Sequence, residues 1–188
     1  MTSEVNKNRR SLILLLLVFV VPVILAKLAL DNQWFNYGVT NQGQLLNNKL
    51  TLADIGLSKD DNKQWLVIYS MPDNCDQQCQ FTLSGIESTY MALGKETPRV
   101  TPVAISISPF NAEQLKLVNE NHWRIVSKAE QAADDSASFL SPLKIYIADP
   151  LGNIVLTYDQ PHQADAVPAF GKSMLSDLKK MLKYSRIG

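Results

Sequence analysis

The chain has 188 residues, of which 46% are hydrophobic, and its 18 basic and 18 acidic side chains cancel. Setting aside Glu4 and the cations Lys7, Arg9, Arg10 and Lys27 leaves 14 basic against 17 acidic residues, a net charge of −3 for the remainder. No basic stripe of the kind nucleic-acid binding needs is present, so nucleic acid is excluded as a partner.

Residues 1–10 are polar and precede Ser11 to Leu30, SLILLLLVFVVPVILAKLAL. At about 1.5 Å per residue, a helix of that length reaches across a hydrocarbon core of roughly 30 Å. Lys27 lies near one end, where its stem can snorkel, and Pro22 is tolerable as a local kink. A cleaved signal peptide would need small residues before the cut. Lys27 occupies such a position for cleavage after Ala29, and Ile24 does so for cleavage after Ala26. We therefore expect an uncleaved anchor over residues 11–30. Lys7, Arg9 and Arg10 before the run predict a cytoplasmic N-terminus. The rest then lies on the outer, periplasmic side of an inner (cytoplasmic) membrane.

Residues 31–61 are polar and Asn/Gln-rich and read as linker and lead-in, with Leu50 to Ile55 docking on a domain spanning 62–188. Trp65 to Tyr69 is a short apolar β-prone run, hence a buried strand, broken at Pro72-Asp73-Asn74. From Cys75, the positions Cys79, Leu83, Ile86 and Tyr90 recur at helical spacing as far as Gly94. Val103 to Ile107 is a second strand. Asn111 is an expected N-cap, with Gln114 three residues on completing a capping box. Trp123 to Val126 reads as a connection and Glu130 to Ser138 as a loop. Leu143 to Ala148 and Asn153 to Tyr158 predict an antiparallel hairpin about Asp149-Pro-Leu-Gly152. Phe170, Met174, Leu175, Leu178, Met181 and Leu182 mark a closing amphipathic helix.

Strand, helix, strand at the start demands a right-handed βαβ unit with parallel strands. The hairpin and helix that follow complete an α/β fold, a thioredoxin-like mixed sheet flanked by helices. In that arrangement a cysteine pair follows the first core strand at a helix N-terminus. Cys75 and Cys79 stand there and are the only cysteines. Four residues apart in a first turn, they share one face at roughly 6 Å between Cα atoms, within disulfide range. The helix N-terminus favours a thiolate, while Asp73 and Asp76 oppose it. Such a pair can cycle between dithiol and disulfide or hold a soft metal ion. A purely structural disulfide would close so short a loop that it would stabilise little.

Four stretches carry a resemblance: Trp65 to Cys79 (WLVIYSMPDNCDQQC), Val103 to Val118, Trp123 to Ser127 (WRIVS) and Leu143 to Tyr158 (LKIYIADPLGNIVLTY). Together with the anchor they resemble the Sco family, membrane-anchored thioredoxin-like proteins of cytochrome c oxidase assembly that help deliver copper. The chain resembles a divergent member. Gln80 stands where the family has a proline after the second cysteine. Ser141 stands where the family carries its third copper ligand, a histidine. Two thiolates still suit Cu(I), which accepts low coordination, but not Cu(II) without an imidazole. His122, His162 and Met71 are the substitute donors on offer. Pro142 occupies the place of the fold's cis-proline.

The resemblance implies thiol–disulfide exchange in oxidase assembly, with Cys75 attacking and Cys79 resolving. The partner expected is an oxidase subunit or another copper chaperone. The alternatives are a Cu(I) chaperone using Cys75 and Cys79, and a non-catalytic assembly scaffold.

Overall fold

A computed structural model of the chain describes residues 2–31, 41–55, 57, 63–118, 122–127 and 143–185. The chain divides into two compact units, Met1–Thr40 and Asn41–Gly188. In the first, helix α1 (Thr2–Asp31) contains Arg9–Ala29, 21 residues long and apolar enough to cross a membrane. Side chains such as Leu12, Phe19 and Val23 are exposed along it. A continuous apolar surface of that kind is stable only against lipid or protein.

The second unit holds a six-stranded sheet in the order β1-β6-β5-β2-β3-β4. The strands are β1 (Gln44–Thr51), β2 (Trp65–Ser70), β3 (Val100–Ser106), β4 (Arg124–Ser127), β5 (Lys144–Ala148) and β6 (Asn153–Asp159). The helices are α2 (Gln77–Ala92), α3 (Ala112–Leu117) and α4 (Val167–Tyr184). β2 runs parallel to β3 and antiparallel to β5, so Ile68 sits between Val103 and Tyr146. β5 and β6 form the expected antiparallel hairpin. Its turn is held by Asp149, whose Oδ1 accepts from the Leu151 and Asn153 amides at 2.9 and 2.8 Å.

All six residues of β2 are buried because both sheet faces are covered, which is why its sequence runs apolar without alternation. Trp65, Val67 and Tyr69 join Leu83, Ile86, Met174 and Leu178 in a core under α2 and α4. Leu66 and Ile68 point the other way, into a core with Leu52, Ile55 and Leu57. The docking expected of residues 50–55 is therefore present. α2 and α4 approach closely at Gly85, where a Cβ would lie 2.7 Å from the Phe170 ring.

Two expectations are corrected. The stretch read as lead-in supplies an edge strand, β1, paired antiparallel with β6 through Gln44–Thr157 and Leu50–Ile154. Its pattern is broken by an irregularity between Leu45 and Leu50, so no period-2 signal survives in the sequence. Its start is held by Asp177 of α4, whose Oδ2 accepts from the Gln42 and Gly43 amides at 2.7 and 2.9 Å. The Trp123–Val126 connection contains a second edge strand, β4, parallel to β3. At four half-buried residues it is too short to show a pattern. The expected loop 130–138, and the positions Ser141 and Pro142, lie outside the described residues.

Candidate functional site

β2 delivers the chain to the C-terminal end of the sheet's central strands, where Met71 extends the pairing by donating its amide to the Ile105 carbonyl at 2.8 Å. Pro72 then ends the strand, and the turn through Asn74 leads to Cys75. Asp76 is the N-cap of α2: its Oδ1 accepts from the Cys79 amide at 2.9 Å. Cys75 thus stands just outside the helix and Cys79 three positions inside it. The two are joined by a disulfide with Cα atoms 5.2 Å apart. Cys79 is fully buried against the α2–α4 core, whereas Cys75 is partly exposed. Of the pair, only Cys75 therefore presents surface to solvent.

Cys75 borders a cavity of about 290 Å³, with Asn74, Gln80, Asn111, Lys116 and Leu117 among its walls. A second hollow shares Gln80 and Leu117 and continues to Glu87 and Trp123. Together they form a polar-edged groove between α2 and α3 that opens at Cys75. From Gln80 to Glu87, α2 advances about 10 Å, the reach of about three extended residues.

On the other side of the pair a chain of polar contacts ties the segment after β6 to α2. Gln160 Nε2 donates to the Tyr69 hydroxyl at 2.5 Å. The Thr82 hydroxyl donates to the Gln78 carbonyl at 2.9 Å. Gln78 Nε2 and His162 Nδ1 stand 2.6 Å apart. Burial pushes the Tyr69 hydroxyl well above the ordinary phenol range; hydrogen bonding to Thr82 offsets this and the charge of Asp76 adds to it. Tyr69 is therefore a fixed neutral hydrogen-bonding group at this site.

The structure separates the substitute donors. His162 lies beside Gln78, the residue before Cys79, so it is brought to the cysteine end of α2. His122 is not: its Nδ1 lies 3.6 Å from Glu87 and its ring 5.4 Å from that of Tyr90. Glu87 is about 12 Å along α2 from Cys79. Met71 is buried in the core that includes Cys79. Among the described residues, no group of three or more His, Cys, Asp or Glu side chains is placed to hold a metal ion. Opened to thiolates, Cys75 and Cys79 would offer two soft donors, a set suited to Cu(I) as cargo.

Sequence reasoning missed Gln160 and Tyr69, which lie 91 residues apart and meet only through the fold. It found the Asn111–Gln114 capping box but not the second contact of Gln114, a 2.8 Å bond from Nε2 to the Pro72 carbonyl.

The family described as transmembrane-like, thioredoxin-like, C-terminal domain matches residues 65–185. No curated protein matches the chain. Among solved structures, apo Sco1 from Thermus thermophilus is similar at 16% identity and a TM-score of 0.52, over 78% of this chain and 99% of that one. The thioredoxin domain of a thiol-disulfide oxidoreductase from Bacteroides vulgatus is similar at 16% identity, TM-score 0.46, over 74% and 90%. Copper-bound ScoI from Arabidopsis thaliana is similar at 14% identity, TM-score 0.46, over 73% and 98%. The likeness to the Thermus protein is one of fold.

Proposed function

The chain belongs to the transmembrane-like, thioredoxin-like C-terminal domain family, and from that premise we propose that it is a membrane-anchored thiol–disulfide protein of cytochrome c oxidase assembly. The observation that carries exchange is the asymmetry of the pair, with Cys75 partly exposed at a groove and Cys79 buried at the start of α2. In the reduced protein, the Cys75 thiolate attacks a partner disulfide and one partner sulfur leaves as a thiol. Cys79 then attacks Cys75 Sγ, releasing the second partner thiol and closing the intramolecular disulfide. Two electrons pass to the partner, and the oxidised state is the product. A dithiol reductant of the compartment resets the pair.

The oxidase assignment rests on the sequence resemblance to the Sco family, with a cysteine pair on an oxidase subunit or another copper chaperone as target. The apolar segment of α1, with Lys7, Arg9 and Arg10 ahead of it, supports an inner-membrane anchor with the N-terminus cytoplasmic and the domain periplasmic. Cu(I) carriage is the second reading, favoured by the two soft donors that reduction exposes.

Trapping tests exchange. Reduced Cys79→Ser protein, mixed with a disulfide-bearing oxidase-subunit peptide, should accumulate a mixed disulfide through Cys75, and Cys75→Ser should not. Equal trapping by both variants, or none by either, removes the assignment. In cells, normal oxidase assembly with both cysteines changed to serine, but not on deletion, would instead establish a scaffold. Cu(I) titration under a competing chelator decides carriage: binding no tighter than that of Cys75→Ser rejects it.

A further inference from the structure

Gln114 does more than a capping residue needs to do. A capping box requires only that its side-chain oxygen accept from the N-cap amide, which an exposed glutamine does equally well. Here the side chain is only 2% exposed. Its Oε1 accepts from the Asn111 amide at 2.8 Å, and its Nε2 donates to the Pro72 carbonyl at 2.8 Å. Oε1 must face an N–H and Nε2 a carbonyl, so one orientation of the amide satisfies both. Asn111 adds a long 3.5 Å contact from Nδ2 to the Asp73 carbonyl. Pro72 and Asp73 form the turn that leads into Cys75, and Gln114, Asn111 and Cys75 line one cavity. α3 thus grips the turn from which the exposed cysteine departs.

We propose that Gln114 is a positioning residue of the cysteine pair: its amide fixes the Pro72–Asp73 turn and so sets how readily the Cys75–Cys79 disulfide is reduced. A disulfide is favoured in proportion to how well the protein keeps its two thiols together once they are reduced. With the turn gripped, Cys75 stays beside Cys79, which is fixed within α2. With the grip released, Cys75 wanders and the ring closes less readily. The biological consequence rests on the exchange reading above, but the equilibrium is measurable whether or not that reading holds.

The experiment uses the full chain in detergent, equilibrated in dithiothreitol redox buffers. The thiol count reports this pair alone, because the chain has only two cysteines. Gln114→Met should shift the thiol–disulfide equilibrium toward the reduced form by about 5-fold, which is about 20 mV for a two-electron couple. Asn111→Ala removes the cap and the long, exposed contact to the Asp73 carbonyl but leaves the buried bond from Gln114 to Pro72. It should lower the melting temperature while moving the redox equilibrium less than about 2-fold. Gln114→Glu keeps an oxygen to cap α3 but turns a second, acceptor-only carboxylate oxygen toward the Pro72 carbonyl, so it should release the turn and shift the equilibrium in the same direction as methionine. It serves as the test if the methionine variant does not fold. A Gln114 variant that folds and stays within 2-fold of the wild type overturns the proposal. So does an Asn111→Ala shift as large as that of Gln114→Met. A wild-type disulfide that no physiological reductant opens would count against the exchange function and leave the variant comparison standing.

Discussion

Replacing Asp177 with alanine probes the latch that holds the first strand to the domain. Asp177 is fully buried, and its Oδ2 accepts from the Gln42 amide at 2.7 Å, the Gly43 amide at 2.9 Å and the Tyr158 hydroxyl at 2.7 Å. Alanine leaves two backbone amides and a phenol without an acceptor. Gln42 is exposed and its amide can turn to water, so at about 1–3 kcal/mol for each of the two buried groups, the Gly43 amide and the Tyr158 hydroxyl, the expected loss is about 2–5 kcal/mol. Against the roughly 5–15 kcal/mol that holds a typical domain together, that is a large fraction. Lys180 adds little: its Nζ lies 3.5 Å from Oδ1, but its side chain is 40% exposed. Urea unfolding of the detergent-solubilised chain, followed by tryptophan fluorescence, measures the global loss. Hydrogen exchange at Gln42 and Gly43 reads the local one, and both amides should lose protection ahead of β2 and β3. A loss below about 1 kcal/mol with unchanged protection of those amides would refute the latch.

Gly85→Ala places a methyl 2.7 Å from the Phe170 ring and should cost about 1–3 kcal/mol by prying α2 from α4, read as a lower urea midpoint. Gln160→Leu removes the donor to the buried Tyr69 hydroxyl and should cost about 1–2 kcal/mol in the same assay. Tyr69 and Tyr158 both have pKa values raised first by burial, Tyr158 further by Asp177. Native protein thus holds those protons more tightly than unfolded chain does. Their contribution to stability is intact below the unfolded value near pH 10 and is lost as the pH climbs beyond it. Alkaline titration at 295 nm should show their ionisation only as the fold gives way, and Tyr158→Phe should delete one such late increment.

What was legible in the sequence was whatever a local pattern encodes. Trp65 to Tyr69 announced a central strand because burial on both faces leaves no room for polar residues. Asn111 and Gln114 announced a helix start because a capping box is complete within four residues. The cysteines could be placed because one follows a strand break and the other begins a helical repeat. Edge strands were not legible. β4 is four residues long, and β1 has a register shift between Leu45 and Leu50, so neither offers a run to read. Contacts between distant residues were equally silent. Asp177 meets Gly43 across 134 positions, Gln160 meets Tyr69 across 91, and Gln114 meets Pro72 across 42. Each is a polar residue whose partner becomes evident only when the sheet order is known. The sequence also held His122 and His162 equal as neighbours of the pair, whereas the fold separates them along α2.

The reduction potential of the wild-type pair, measured on the full chain in dithiothreitol and glutathione buffers, bears most directly on the exchange function. A disulfide that cycles must lie above the range of structural bridges. The account predicts a value less negative than about −300 mV, with reduced Cys75 alkylated at least ~10-fold faster than Cys79. A potential below that value would mean that the bridge is a fixed staple and that the chain acts by its surface alone, and equal alkylation of the two thiols would contradict the attacking role of Cys75.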